Sequence, residues 1–595
     1  MKSLAQLNKY FLKYKWRFLL GILFVVAQNF LAIYPAQLVR ESLDAVVLSV
    51  EKYKNELVHN STLVSDLTET IFYYLLLIIG VGILRGIIMF LMRQTMIVMS
   101  RFIEFDLKND IYAHYQKLSL AFYRRNNTGD LVNRISEDVS RVRMYIGPAI
   151  MYTINLVVLF TLIIIIMFSV NTKLAMYVLL PLPFLSISIY LVSAKMNSKS
   201  EDVQVQQSRL STFVQEAFSG IRVLKSFVRE SQSEAAFEKE SQNYKDKSME
   251  LVKINSMFFP LMLLLVGLST LIVVYIGGRE VIAGNITPGN IAEFIIYVNM
   301  LTWPVAALGW VTAIVQRAAA SQERINEFLH TEPEIVSDES NVIDFAGKIE
   351  FRNVSFVYPG SGIKALDDVS FTVQPGESLA VLGRTGSGKS TVANLLVRMY
   401  DTGSGKILID DHNIDSLSLT ALRENIGYVP QDVFLFSDSI ANNISFGISH
   451  IENGLIREKV YQAAKDAVIY DNIMEFEKNF DTMIGERGIT LSGGQKQRVS
   501  IARALIKNPK ILLFDDCLSA VDTHTEEMIL GNLKKQMEGK TTLIISHRVS
   551  TVKHAEKIIV LDAGRICEKG NHEELLAKRG LYFTLYEKQL MEEEV

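Results

Sequence analysis

The sequence predicts an all-α membrane domain of six spanning helices with long cytoplasmic extensions, followed by one soluble α/β domain. Three observations predict it. Apolar stretches long enough to cross a bilayer, about 20 residues each, recur only in the first half of the chain. From about Gly347 the pattern changes to short alternating strands and amphipathic helices. Within that second part an apolar strand runs through "GRTGSGKS" directly into a helix. Composition agrees. With 49% hydrophobic residues among 595 and a mean hydropathy of +0.21, the chain is too apolar for an ordinary cytosolic enzyme, and at 21% charged it is too polar for a pure membrane bundle. The net charge of -3 offers no electrostatic footprint for nucleic acid, and none is expected as a partner. Both cysteines, Cys517 and Cys567, lie late in the chain, so no disulfide framework is implied.

The spans are expected near residues 18–38, 71–92, 151–168, 174–194, 257–276 and 291–311. The first apolar run is too long for a signal segment and has no small-residue cleavage site after it, so it reads as a retained span. Lys2, Lys9, Lys13, Lys15 and Arg17 precede it without an acidic residue, which puts this end in the cytoplasm. The mainly acidic segment 41–69 is then an outward loop. The long connections 93–150 and 195–256 return to the cytoplasm, and both keep helical periodicity, so they read as membrane helices prolonged into the cytosol. "SVNTK" and "GGREVIAGNITPGN" supply the short outer turns. The tripeptide Asn60-Ser61-Thr62 fits a glycosylation acceptor, but reads more simply as polar loop. The acidic stretch before Gly347 is the natural linker, giving a membrane domain over 1–328, a linker over 329–346 and a soluble domain over 347–595.

Four spaced residues of the glycine-rich run, Gly383, Gly388, Lys389 and Ser390, fit G-x-x-x-x-G-K-[ST] between a strand and an amphipathic helix. The run Gly383, Arg384, Thr385, Gly386, Ser387, Gly388, Lys389, Ser390 and Thr391 is therefore the candidate cradle for the phosphates of ATP. Its backbone N–H groups wrap the anion, the following helix aims a positive end at it, Lys389 neutralises it, and Ser390 ligates Mg²⁺. Asp515, at the end of the apolar "KILLFD", is placed as the second Mg²⁺ contact. Ser492, Gly493, Gly494 and Gln495 open another helix, a second anion-binding terminus in a domain whose nucleotide already has one. Two such domains, head to tail, would give it a use: each closing on the other's ATP.

The order of the phosphate loop, Gln431, "LSGGQ", Asp515 and His547 resembles the nucleotide-binding domain of ABC transporters, and the fused membrane half resembles an exporter-type half-transporter. The resemblance implies further roles. Tyr358 in "FVYPG" matches the aromatic that stacks on adenine, and Gln431 matches the glutamine that touches Mg²⁺ and the attacking water. His547 matches the γ-phosphate-sensing histidine, and "SAVD", ending at Asp522, matches a loop at the dimer interface. "TMIGERG", "FYRRNNTGDLVNRISEDVSRV" and "EAFSGIRVLKSF" resemble segments through which the two halves communicate. One position departs from the family. Where the general base is usually glutamate, this chain has Asp516, one methylene shorter. A general base works within hydrogen-bond reach of its proton, so a site built on Asp516, His547 and Gln431 is expected to bind ATP and hydrolyse it slowly.

The resemblance thus implies an ATP hydrolase coupled to export or flipping of hydrophobic or amphipathic compounds, drug or lipid. It would be a multi-pass protein of the inner (cytoplasmic) membrane working as a homodimer or a heterodimer with a second half-transporter. An ATP-gated channel or regulatory subunit is the alternative that a weakened base suggests. Gln28, Asn29, Arg85, Asn155 and Asn299 are polar residues within spans. Arg85 reads either as part of the substrate path or as a snorkelling or interhelically bonded side chain. Trp303 and Trp310 could line a cavity or anchor the helix at the interface.

Overall fold

The computed structural model describes residues 2–55, 61–448, 453–485, 491–517 and 523–593. The chain divides into two compact units, Met1–Gln116 with Gly129–Thr331, and Lys117–Thr128 with Glu332–Val595.

The first unit is helical. Its long helices run Lys15–Asn55, Ser61–Lys117, Glu230–Ile282 and Pro288–Leu329. At about 1.5 Å per residue the 57 residues of Ser61–Lys117 reach roughly 85 Å, far more than the ~30 Å of hydrocarbon they have to cross. Among the described residues five helices are long and apolar enough to span: Lys15–Lys52, Ser65–Lys117, Thr128–Val170, Glu230–Ile282 and Pro288–Leu329. The remaining apolar run, expected at 174–194, is divided. Asn171 caps Thr172–Leu179 by accepting from the Leu174 N–H, and Pro181 then starts Pro181–Ser219. Proline has no N–H to donate, which suits it to the first turn of a helix.

The segment read as an outward loop is helical up to Asn55 and again from Ser61; Asn60 of the candidate acceptor lies outside the described residues. Tertiary ties hold the extension of the first helix. Asp44 accepts from the Gly289 N–H at 2.8 Å and the Thr287 hydroxyl at 2.7 Å, and Arg40 pairs at 3.3 Å with Glu293. Glu293 is fully buried and also accepts from Tyr297 and Asn290. Deeper in the span, Asn29 donates to Asn155 at 3.0 Å. Ile33, Ile163, Met167, Leu174, Phe294 and Leu301 form the shared core. The apolar stretches of Ser65–Lys117 and Glu230–Ile282 stay largely exposed, as helix faces turned to lipid would.

The second unit is α/β. Strands β1 (Ile349–Val357), β2 (Lys364–Val373), β4 (Ser404–Ile409) and β5 (His412–Asn413) form an antiparallel sheet in the order β2-β1-β4-β5. A second sheet has the order β10-β9-β3-β8-β7-β6, built from β3 (Ser378–Gly383), β6 (Ile426–Val429), β7 (Ile511–Asp515), β8 (Thr541–Ser546), β9 (Lys557–Asp562) and β10 (Arg565–Gly570). Its pairings are parallel except β9 with β10. Buried along their whole length, β7 and β8 carry the near-continuous apolar runs that central parallel strands need. The crossovers place the carboxyl ends of β3, β8 and β7 side by side, where ligands of open parallel sheets bind.

The residues expected as linker dock on this unit. Ser418 donates to Glu339, Leu419 N–H to the Ser337 hydroxyl, and Asp410 accepts from the N–H groups of Ala346, Gly347 and Lys348. The short helix Leu120–Arg125, which the sequence attaches to the membrane half, also belongs here: Ala121 is buried in the core that β1, β2 and β3 share.

Candidate nucleotide site

At the end of β3 the chain turns through the glycine-rich loop into the helix Lys389–Leu396. Gly386 and Gly388 have φ of +83° and +100°, which only glycine adopts without strain. A Cβ at Gly388 would also stand 2.2 Å from the Ala365 carbonyl oxygen, so two requirements select glycine there. Lys389 Nζ donates to the carbonyls of Gly383 at 2.8 Å and Arg384 at 2.9 Å. Burial lowers the pKa of this ammonium, against the pull of Asp516 and Asp515.

Asp515 closes β7, and its Oδ1 accepts from the Ser390 hydroxyl at 3.0 Å. Burial pushes the Asp515 carboxyl up to about 6; the Ser390 bond opposes this and Asp516 adds to it. A desolvated carboxylate beside a hydroxyl is an oxygen donor set short of positive charge, which fits a hard divalent cation.

Asp516 lies one residue on, at φ +47°. Its N–H donates to Ile545 O at 2.8 Å, extending the β7–β8 ladder, and the left-handed turn swings the side chain to the β8 end. His547 Nδ1 stands 2.8 and 3.0 Å from its two carboxylate oxygens. Gln431 Nε2 donates to it at 3.4 Å. Tyr358, just past β1, shares a 3.0 Å hydrogen bond between its hydroxyl and Thr391 Oγ1.

These residues enclose a cavity of about 300 Å³, lined by Tyr358, Ile363, Ala365, Thr385, Gly386, Gly388, Lys389, Ser390, Thr391, Gln431, Asp515, Asp516 and His547. Gly383, Arg384 and Ser387 belong to the loop without lining it. Ile363 and Ala365 have no signal in the sequence, since apolar residues at a strand start look like any core positions. Ser492, Gly493, Gly494 and Gln495 lie outside the cavity. Ser492 and Gln495 cap their helix reciprocally, hydroxyl to the Gln495 N–H and amide oxygen to the Ser492 N–H. Residues 518–522, which hold "SAVD", and 486–488 of "TMIGERG" lie outside the described residues.

Comparison with known proteins identifies the family. Residues 17–305 match the family model described as the ABC transporter transmembrane region, and residues 366–519 match that described as ABC transporter. A probable multidrug resistance ABC transporter ATP-binding/permease protein, YheI of Bacillus subtilis (strain 168), is 34% identical over 98% of this chain and 97% of its own. The chain is an ABC transporter. The multidrug resistance-like ATP-binding protein MdlA of Escherichia coli (strain K12) is 32% identical over 100% of this chain and 97% of its own. An ATP-dependent lipid A-core flippase of Syntrophus aciditrophicus (strain SB) is 37% identical over 82% of this chain and 81% of its own. Among solved structures, a bacterial Atm1-family ABC exporter with ATP bound matches with a TM-score of 0.77 at 27% identity, covering 98% of this chain and 99% of that one. This ABC transporter therefore fuses a multi-pass membrane region to a nucleotide-binding ATPase domain and couples ATP hydrolysis to transport.

Proposed function

We propose that this transporter exports or flips a hydrophobic or amphipathic compound across the inner membrane as a dimer, and that the ATP site built on its own glycine-rich loop and Asp515 turns over slowly. The substrate class rests on the multidrug and lipid-flippase names of the relatives. The slow site rests on one observation: the carboxylate of Asp516, already a methylene short, is held between His547 and Gln431.

ATP with Mg²⁺ fits the residues present. The loop N–H groups and Lys389 would hold the phosphates, Tyr358 the base, and Ser390 and Asp515 the cation, with Gln431 beside it. The cation supplies charge neutralisation of the transferring phosphoryl group. His547 holds Asp516, and Asp516 is the base that would take a proton from water. Ser492, Gly493, Gly494 and Gln495, outside this cavity, would close as a capped helix end on the nucleotide of a partner half-transporter, and a heterodimer gives the two sites unequal work.

Steady-state ATPase rates of the purified complex test this. Asp516→Glu should raise turnover at this site, by an amount bounded by the roughly 10²–10⁴-fold that general-base assistance is worth. In a heterodimer Asp516→Asn should change total turnover little. Flat turnover in the Glu variant together with abolished turnover in the Asn variant would make Asp516 a working base and end the proposal.

A further inference from the structure

We infer that Arg124 is a positioning residue of the nucleotide site: its guanidinium stands over the ring of Tyr358 and tunes that ring for the base. The inference rests on the reading of Tyr358 as the base-stacking residue.

Arg124 lies on the short helix Leu120–Arg125, far in sequence from every motif of the ATPase domain, yet inside the same compact unit. Four contacts seat the helix. Ala121 is buried in the core beneath β1 and β2. Arg125 forms an ion pair with Glu334, and Ser119 Oγ donates to the same carboxylate at 2.9 Å. The turn after Tyr358 meets Arg125, whose Cγ lies 3.7 Å from where a Cβ of Gly360 would be. Arg124 is thereby carried to the aromatic cluster of Phe356, Tyr358 and Tyr400. Its guanidinium carbon is 5.5 Å from the Tyr358 centroid and 5.9 Å from that of Tyr400. Tyr400 meets Tyr358 edge-on, at 5.5 Å and 88°.

Tyr358 belongs both to the cavity lining and to the aromatic cluster that Arg124 meets. It lines the cavity together with Ile363 and Ala365, whereas Arg124, Phe356 and Tyr400 do not. The ring thus borders both an open pocket and a cation. A cation over one face withdraws π-electron density and holds the ring plane against rotation. Both effects favour stacking of an electron-rich purine on this ring. With its hydroxyl bonded to Thr391, Tyr358 is fixed at its tip by the phosphate-loop helix and at its face by Arg124.

The experiment separates base from phosphate. Affinities for ATP and for inorganic tripolyphosphate, which has no base, are measured by isothermal titration of the assembled transporter in lipid nanodiscs, for wild type, Arg124→Gln, Arg124→Lys and Tyr358→Leu. Arg124→Gln should weaken ATP measurably, by no more than about fivefold, and leave tripolyphosphate unchanged, because only the part of the cation–π contact that changes on stacking enters the affinity and its whole worth is the ceiling. Arg124→Lys should stay within about twofold of wild type. In the Tyr358→Leu background, Arg124→Gln should have no further effect on ATP. Equal weakening of ATP and tripolyphosphate, or no change in either, overturns the role assigned to Arg124. If Tyr358→Leu itself leaves the ratio of the two affinities unchanged, the base-stacking reading falls and the inference with it.

Discussion

At position 516 a short side chain and a left-handed backbone act together. The positive φ aims the carboxylate at His547, and the missing methylene leaves it there. Sequence alone identified the substitution. It could not show that both carboxylate oxygens already have a partner, because that depends on β7 and β8 being neighbours. Lys389 makes the complementary case. Its ammonium donates to two carbonyls of its own loop and faces two carboxylates. Lys389→Ala would leave those carboxylates uncompensated and the phosphates without their main cation. Hydrogen bonds to charged groups are worth about 1.5–3 kcal/mol, so ATP affinity should fall by roughly 10- to 150-fold, with loss of transport. Nucleotide titration and a vesicle uptake assay check this; transport at the normal rate in the variant would contradict it.

At the scale of elements, pattern was legible wherever one period ruled. Five of the six apolar runs, the strand into the glycine-rich loop and the helix after Ser492 appear as their sequences suggest, while the run at 174–194 is split at Pro181. The segment read as an outward loop does not, because helix Lys15–Asn55 is held past its apolar span by residues from a remote helix. Gly289 is the close point of that contact: a Cβ there would lie 2.4 Å from the Arg40 carbonyl oxygen and 2.7 Å from Asp44 Oδ1. Gly289→Val should destabilise the membrane unit by about 1–3 kcal/mol, the usual range for overpacking. The midpoint of thermal unfolding in detergent should drop by several degrees, whereas Gly80→Val, at a position with open space around it, should leave it nearly unchanged. Equal midpoints for the two variants would show that the approach at Gly289 is not tight.

At the scale of the whole molecule, Arg85 asks whether the membrane unit's charge serves transport. It is half-buried on a helix whose apolar stretch is otherwise largely exposed. If the charge lines the substrate path, Arg85→Ala should change transport or its substrate dependence while ATP affinity stays as in wild type. Unchanged transport of every compound tested in proteoliposomes would assign the side chain to snorkelling or helix packing.

The amino-acid sequence by itself determined that this chain has a membrane part and a nucleotide-binding part, where a glycine-rich loop leads from a strand into a helix, and that aspartate stands at position 516. These come from local rules: hydrophobic length against bilayer thickness, and backbone geometry that only glycine supplies. The tertiary structure decided the rest. It put Asp516, His547 and Gln431 within contact, gave Ile363 and Ala365 a place in the cavity, and assigned Lys117–Thr128 to the nucleotide-binding unit. Those are relations between residues up to a few hundred positions apart, set by strand order and by burial of a single alanine in a distant core. No window of sequence contains them, because the energy that fixes them comes from surfaces that meet only after the chain has folded.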